Sequence, residues 1–237
     1  MKILVCGDLH TKFDILEEVQ ERAGKFDKVV ILGDYVDDWN RPPAASENLL
    51  NAVIEWKLAE PEKIILLLGN HDLSEWKAGR FLCSGFNRDT HYLVEKIMDE
   101  YGALFSVAWS YKDYLFTHAG VTKKWAESMG MKFETAAGWC DALNSLASEE
   151  FNGLEMTGAV RGGYQAPSPL WADRVELIED PIDGVVQVVG HSPIESIEDM
   201  EVYSGGEKHL LYFCDTHSLY PDGTRIGDNK LLELEVE

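Results

Sequence analysis

The sequence predicts an α/β fold built on a buried parallel sheet, and three observations near its N-terminus support this prediction. Short apolar runs rich in β-branched residues recur at 3–6, 29–32 and 64–68. Stretches with apolar residues at helical spacing, 13–23 and 44–59, separate these runs. Each run is followed by glycine and then by a polar residue. Continuous apolar strands joined by helices are typical of βαβ units, whose parallel sheet is covered on both faces.

Polar residues that can bind ligands stand where the predicted strands end. The first three runs are followed by Asp8, Asp34 and Asn70, and two later strand-like runs precede His118 and His191. In open α/β sheets, ligands bind outside the carboxyl ends of the strands. We therefore expect these side chains to converge at one edge of the sheet.

The middle of the chain is more helical, and its end returns to strands. Residues 153–169 are rich in glycine and proline, which predicts a long loop. His217 follows a predicted strand and could approach the ligands, but a surface turn is the favoured interpretation. We interpret the chain as a single domain, 1–237, with a mostly helical insertion around 122–165. Further helices are expected at 90–101 and 123–150, and further strands at 111–117, 185–189, 210–214 and 231–236.

Composition limits the partners that we expect. The chain has 237 residues, of which 45% are hydrophobic, and its formal net charge is −21. Binding to a phosphate backbone requires clustered lysine and arginine, which this sequence lacks. We therefore expect neither duplex nucleic acid nor an anionic membrane as a partner.

The cysteines and the N-terminus suggest the compartment. The four cysteines are widely spread and form no CxxC pair, so a disulfide framework is not expected. The first apolar run is too short for a signal peptide, and no stretch is long and apolar enough to span a membrane. The cytoplasm is the expected location.

The candidate ligands combine carboxylate, amide and imidazole groups. Such a set suits manganese, iron, zinc, cobalt or nickel better than calcium or magnesium alone. Six ligands are too many for one mononuclear zinc site and are natural for two metals that share a carboxylate. We expect two divalent or trivalent ions, with manganese as the first choice. The six candidate ligands are Asp8, His10, Asp34, Asn70, His118 and His191.

Five segments resemble the motifs of the calcineurin-like metallophosphoesterases. They are GDLH, GDYVD, GNHD, THAG and VVGHSP, and they occur in family order from residue 7 to residue 192. The nearest branch holds the serine/threonine phosphoprotein phosphatases and the diadenosine-tetraphosphatase-like enzymes. The resemblance implies a four-layer α/β/β/α sandwich, in which two packed mixed sheets are flanked by helices. It also implies a metal-dependent phosphoester hydrolase.

The resemblance implies a role for each motif residue. His71 would protonate the leaving-group oxygen as general acid, and Asp37 would orient its imidazole through a hydrogen bond. A hydroxide that bridges the two metals would attack phosphorus in line. Asp34 would bridge the metals: one would take Asp8, His10 and Asp34, and the other Asp34, Asn70, His118 and His191.

The chain departs from the branch pattern at the second motif. Asp38 and Trp39 stand where the phosphoprotein phosphatases have arginine and glycine. That arginine binds the substrate phosphate, whereas a carboxylate repels it, so another cation is required. Arg161, in the glycine-rich loop, is our first candidate and Arg41 is the second. At the first motif, Thr11 replaces the usual glycine. Arg80 and Arg174 are further candidates for phosphate binding.

Three functions remain open on the sequence alone. The first is a phosphomonoesterase that acts on a small molecule, a nucleotide or a phosphoprotein. The second is a nucleotide-directed hydrolase of the same fold that cleaves dinucleoside polyphosphates or phosphodiesters. The third is a non-catalytic scaffold, which is disfavoured because the six ligands and His71 are all present.

Overall fold

The computed structural model describes residues 1–38, 41–220 and 222–237. Trp39, one of the two residues at the altered second motif, lies outside the described residues. Within them, two five-stranded sheets and seven α-helices account for the regular structure.

The first half of the chain forms βα units in the order that the sequence predicts. Apart from Lys2, Lys28 and Ile65, the residues of the first three strands are apolar and buried, and each of the first two helices buries apolar residues that recur at helical spacing. The elements are β1 (Lys2–Cys6), α1 (Phe13–Ala23), β2 (Lys28–Ile31), α2 (Pro43–Ala59), β3 (Ile64–Leu67), α3 (Asn70–Trp76), α4 (Arg88–Tyr101) and β4 (Phe105–Ser106).

The second half begins with a hairpin, continues through helices and returns to strands. Short 3₁₀ helices lie at Gly102–Leu104, Leu146–Glu149 and Ala159–Arg161. The elements are β5 (Ala108–Tyr111), β6 (Tyr114–Thr117), α5 (Lys123–Ser128), α6 (Ala136–Ser145), α7 (Arg174–Glu179), β7 (Val186–Val189), β8 (Glu198–Ser204), β9 (Glu207–Phe213) and β10 (Leu232–Glu235).

Both sheets are mixed, as the four-layer prediction requires. The first has the strand order β10-β1-β2-β3-β4, and all its pairs are parallel except β1 with β10. The second has the order β5-β6-β7-β9-β8, with a parallel centre and antiparallel pairs at both edges. The predicted α/β sandwich is therefore confirmed.

The sheets pack face to face, and alternation along the strands places one apolar cluster between them and two further clusters on their outer faces. Val5, Val30 and Leu67 of the first sheet share one cluster with Phe116 and Val188 of the second. Their neighbours on the first sheet point to its outer face and join the helices in a larger cluster, whereas Val189 of the second sheet lies in a smaller cluster with Leu177 of α7. This arrangement brings the carboxyl ends of strands from both sheets to one rim.

Two elements differ from the expected boundaries. The strand expected at 111–117 is divided between the end of β5 and β6, which form a hairpin, because Lys112 adopts a left-handed φ of 54° and turns the chain between them. The helix expected at 123–150 is interrupted after Ser128. Gly130 has a φ of 66°, and the side chain of Thr135 accepts a hydrogen bond that starts α6.

The strand β8 is absent from the sequence prediction. It lies at the edge of the second sheet and is mostly solvent-accessible, with Val202 its one buried residue. An edge strand with so few apolar residues produces no apolar run, and its pairing with β9 reveals it only in the fold.

In the described part of the chain, no helix combines the length and the apolar character needed to cross a membrane.

Candidate metal centre

The six candidate ligands meet at the rim where the strands of both sheets end. Asp8 and Asp34 follow β1 and β2, and Asn70 begins α3 just after β3. His118 and His191 follow β6 and β7 of the other sheet. A cavity of about 310 Å³ opens here. Its lining includes Asp8, His10, Asp34, Asn70, His71, Arg161 and His191, and His118 is fully buried next to them.

The carboxylate of Asp34 stands between two clusters of potential ligand atoms. Its Oδ2 is 3.6 Å from Nε2 of His10 and 3.4 Å from Nε2 of His118. The same Nε2 of His10 is 3.9 Å from Oδ2 of Asp8. Asp34 is therefore placed where one carboxylate can be shared.

The second cluster is gathered around His118. Its Nε2 lies 2.9 Å from Oδ1 of Asn70 and 3.1 Å from Nδ1 of His191. Its Nδ1 lies 2.9 Å from the carbonyl oxygen of Leu32. Since a carbonyl can only accept, Nδ1 donates and Nε2 keeps its lone pair for a metal.

His10 is oriented in the same manner. Its Nδ1 lies 2.9 Å from the carbonyl oxygens of both Val36 and Asp37. The hydrogen bond from Nδ1 leaves the Nε2 lone pair directed toward Asp8 and Asp34.

The buried polar atoms of this rim fit bound cations. Among the described residues, the buried Nε2 of His191 has no hydrogen-bond partner. Asp8 and Asp34 are 2% and 1% exposed, and buried carboxylates are costly unless cations compensate their charge. Burial, followed by the charge of Asp215, raises the pKa of Asp8. Carboxylate, amide and imidazole donors that face one another in a buried site suit transition metals.

Close contacts explain why glycine precedes two of the ligands. A Cβ on Gly69 would lie 2.0 Å from Oδ1 of Asp34, and one on Gly190 would lie 2.4 Å from Oδ1 of Asp8. Any larger residue would displace a carboxylate from the centre. The glycine that ends each of these strand runs is thus a requirement of the site itself.

The aspartate of GNHD holds the second strand end against the third. Oδ2 of Asp72 accepts hydrogen bonds from the backbone N–H groups of Asp34 and Gly69, both at 2.8 Å. Oδ1 accepts another from Tyr35 at 2.9 Å. Asp34 has a φ of 52°, a left-handed conformation that is uncommon outside glycine. The hydrogen bonds to Asp72 hold this backbone in place.

His71 and Asp37 form a hydrogen-bonded pair beside the cavity. Nδ1 of His71 lies 3.0 Å from Oδ2 of Asp37, and the backbone N–H of His71 donates to Oδ1 of Asp34 at 2.9 Å. Burial disfavours the charged imidazole, but the carboxylates of Asp34 and Asp37 outweigh it and raise the pKa of His71 to about 9. A protonated His71 at neutral pH is suited to donate a proton.

The arginines considered for phosphate binding differ in their position relative to the cavity. Arg161 lines the cavity: its Nη2 donates to Oγ of Ser192 at 3.2 Å, and its Nε lies at ion-pair distance, 3.0 Å, from Oδ2 of Asp173. Arg41 is exposed and is not among the described residues that line this cavity. Arg80 pairs with Glu155, and Arg174 pairs with Glu198.

The expectation for His217 is wrong. Its side chain is fully buried, and neither ring nitrogen has a hydrogen-bond partner among the described residues. Burial lowers the pKa of His217 to about 4, which keeps the ring neutral. The sequence shows only a polar stretch after β9, whereas the chain folds back over that stretch and covers the ring.

Three residues near the centre were not found from the sequence. Lys12 is buried, donates to the carbonyl of Leu9 at 3.2 Å and lines a second cavity, of about 160 Å³, together with His71. Cys83 lines the cavity of the candidate ligands, and Glu75 is buried on α3. Lys12 and Glu75 stand close to motifs, but only packing shows which way they point.

Cys83 is expected to fix the amide of Asn70. Nδ2 of Asn70 lies 3.2 Å from Sγ of Cys83, and that Sγ lies 3.3 Å from the Asn70 carbonyl. Cys83→Val removes both contacts and frees the amide to rotate. We expect it to weaken manganese affinity by roughly 10-fold, as for other residues that orient a ligand.

Chelator competition measures the affinity of these variants for manganese. Cys83→Ser should retain it, and Cys140→Val, outside this cavity, is the control; unchanged affinity in Cys83→Val contradicts the expectation.

A comparison with models of known protein families identifies the family of this chain. The model of the calcineurin-like phosphoesterase family matches residues 1–220, so the chain belongs to this family. Members of the family use divalent metals in a binuclear site, and the chain is accordingly a metal-dependent phosphoester hydrolase.

Solved structures match the chain at low sequence identity. A cold-active protein-tyrosine phosphatase of a Shewanella species has a TM-score of 0.59 and 15% identity, covering 98% of this chain and 77% of the other. A metallophosphoesterase from Sphaerobacter thermophilus has a TM-score of 0.43 and 16% identity, with coverages of 100% and 89%. A protein serine/threonine phosphatase from Saccharomyces cerevisiae has a TM-score of 0.48 and 17% identity, with coverages of 100% and 81%. None of the curated proteins compared with the chain matches it.

Proposed function

We propose that this protein hydrolyses phosphomonoesters at a centre of two metal ions, with manganese as the first candidate and iron, zinc, cobalt or nickel as alternatives. The observation that carries the proposal is the position of Asp34, whose Oδ2 faces His10 on one side and His118 on the other. One ion would be held by Asp8, His10 and Asp34, and the other by Asp34, Asn70, His118 and His191.

Two bound metals would supply a nucleophilic hydroxide at neutral pH and would neutralise charge on the phosphoryl oxygens. The chain's own residues place the substrate and move the proton. His71 lines both the cavity of the ligands and the smaller cavity beside it. A leaving group in the smaller cavity would have its ester oxygen within reach of Nε2 of His71.

Asp37 and the backbone prepare His71 for this role. The hydrogen bond from Nδ1 to Asp37 stabilises the charged ring and turns Nε2 away from Asp37. The backbone N–H of His71 is bound to Asp34, so the acid is held beside the carboxylate that the metals would share. Proton transfer from Nε2 lets the departing oxygen leave as an alcohol.

Arg161 is the proposed phosphate-binding residue. Its guanidinium lines the cavity together with Asp34 and His191, and Asp173 and Ser192 hold it there. Arginine can bind phosphate oxygens through two parallel hydrogen bonds, which lysine cannot imitate. Arg161 would therefore take the place of the arginine that Asp38 replaces.

Arg161→Met is expected to raise KM for p-nitrophenyl phosphate by roughly 10- to 100-fold, because a charge-assisted bond to phosphate contributes about 1.5–3 kcal/mol. Steady-state kinetics with manganese measures this change. Arg80→Met is the matched control, since Arg80 pairs with Glu155 outside the cavity. An unchanged KM in Arg161→Met would exclude Arg161 from phosphate binding.

A substrate panel tests the proposed function. We expect manganese-loaded protein to prefer p-nitrophenyl phosphate and phosphopeptide over bis-p-nitrophenyl phosphate and diadenosine tetraphosphate. A strong preference for the diester or the dinucleotide would instead establish the nucleotide-directed alternative. Failure of fully metallated protein to turn over any of them would establish the scaffold.

A further inference from the structure

Glu75 is a buried carboxyl group with one unused oxygen. It lies on α3 and is 0% exposed. Its Oε1 accepts a hydrogen bond from the backbone N–H of Asn87 at 2.9 Å. Its Oε2 is also buried, and it has no hydrogen-bond partner among the described residues. A buried carboxylate oxygen left in this state is costly, whereas a protonated oxygen can donate.

The helix places Glu75 on the same side as the proposed acid. His71 and Glu75 are four residues apart on α3, and residues at this spacing are neighbours on a helix surface. His71 reaches Oδ2 of Asp37 from one side at 3.0 Å. Glu75 interacts with the same carboxylate: burial, followed by the charge of Asp37, raises the pKa of Glu75 to about 8. Burial and the neighbouring carboxylate thus favour the protonated form of Glu75, which can donate a hydrogen bond toward Asp37.

We propose that Glu75 is a positioning residue of the phosphoesterase, whose protonated carboxyl donates a hydrogen bond to Asp37 and thereby holds it against His71. The inference rests on the proposed role of His71 as general acid. The row Glu75–Asp37–His71 carries one negative charge and one positive charge when His71 is protonated. The donor on Glu75 withdraws charge from Asp37, so Asp37 orients His71 without retaining its proton too strongly during transfer.

The position of Asp37 requires such support. Its backbone is left-handed, with a φ of 61°, and its N–H lies 3.3 Å from Oγ of Ser46. An aspartate side chain can adopt several staggered rotamers, and the one observed here places Oδ2 of Asp37 3.0 Å from Nδ1 of His71. A donor from the rigid helix α3 selects that rotamer.

Glu75 also has a structural contact, through Asn87 at the start of α4, and the experiment must separate the two roles. Glu75→Gln keeps the oxygen that accepts from Asn87 and replaces the carboxyl proton with an amide donor. Glu75→Met introduces a side chain of similar volume and removes both the acceptor for Asn87 and the hydrogen-bond donor. Glu95→Gln, on the exposed side of α4, is the matched control.

The kinetic test compares leaving groups in manganese-loaded enzyme. Glu75→Met should lower kcat for phenyl phosphate by about 10- to 100-fold, the effect typical of losing an orienting hydrogen bond. The loss for p-nitrophenyl phosphate should be several-fold smaller, because its leaving group needs little protonation. Glu75→Gln should restore kcat to within about 3-fold of wild type on both esters. Equal losses on the two esters, or a Glu75→Gln variant as slow as Glu75→Met, would overturn the proposal.

A spectroscopic test needs neither turnover nor a stable Glu75→Met variant. Infrared spectra of the wild type, recorded below the pKa of Glu75, should show a carboxylic acid C=O band that Glu75→Gln lacks. The band should shift in Asp37→Asn, because its hydrogen-bond acceptor changes. Absence of the band, or a band insensitive to Asp37→Asn, overturns the inference. If the wild type hydrolyses no ester, the proposed function fails, while the band still tests the contact.

Discussion

Replacing Asp34 by asparagine is expected to remove bound metal and activity together. Oδ2 of Asp34 faces Nε2 of His10 at 3.6 Å and Nε2 of His118 at 3.4 Å, so both clusters lose the same negative charge. We expect kcat to fall by roughly 10³-fold or more, equivalent to about 4 kcal/mol of transition-state stabilisation. Metal analysis of the purified protein and steady-state kinetics measure the two effects.

Asp34→Asn is a suitable test of the shared carboxylate because we expect the variant to keep the native fold. Oδ1 of Asp34 accepts from the backbone of His71, and an asparagine oxygen can accept the same hydrogen bond. Asp14→Asn, an exposed residue in the first turn of α1, controls for a general loss of one negative charge. An Asp34→Asn protein that retains two metals and the full rate would refute the shared carboxylate.

Replacing His71 by asparagine should leave metal binding intact and remove the proton donor. We expect kcat for phenyl phosphate to fall by roughly 10²- to 10⁴-fold, the usual contribution of a general acid. The loss should be much smaller for p-nitrophenyl phosphate, whose leaving group departs without a proton. Metal content, measured on the same samples, should equal that of the wild type.

The comparison of esters also discriminates between two roles for His71. Nitrogen and oxygen atoms of His10, Asp34 and His71 lie within 4.8 Å of one another, so the geometry alone would also allow His71 to bind a metal. A metal ligand would lose metal on substitution and would lose equal rate on both esters. Asp37→Asn, which weakens the orientation of the ring, should give a smaller loss with the same preference for the better leaving group.

Much of the candidate site could be predicted from the sequence because each element is encoded locally. A strand that is covered on both faces leaves a continuous apolar run, and a glycine and a ligand residue follow each of the first three runs. Glycine is required at positions such as Gly69 and Gly190 because a carboxylate of the site lies too close to the backbone for a side chain. This requirement leaves a recognisable glycine in the sequence. The positions of Asp8, Asp34 and Asn70 therefore predict both the parallel sheet and the edge at which these side chains lie together.

Elements without such a local signal were predicted incompletely. The strand predicted at 111–117 ran from the last residue of β5 through the turn at Lys112 into β6, so β5 was not recognised as a separate strand. The edge strand β8 has too few apolar residues to be seen before it pairs with β9. His217 is buried because other segments cover it, which no property of its neighbours in the sequence indicates.

The class of fold, the family and the six candidate ligands could be predicted from the sequence, because all of them follow from short motifs placed after apolar strands. The folded chain was needed to show which atoms face one another around Asp34, that Arg161 rather than Arg41 lines the cavity, and that Cys83 and Glu75 contact or face site residues. These relations join residues far apart in the chain or depend on the direction of single side chains. Packing determines both the long-range contacts and the side-chain directions, and neither of these produces a periodic pattern in the sequence.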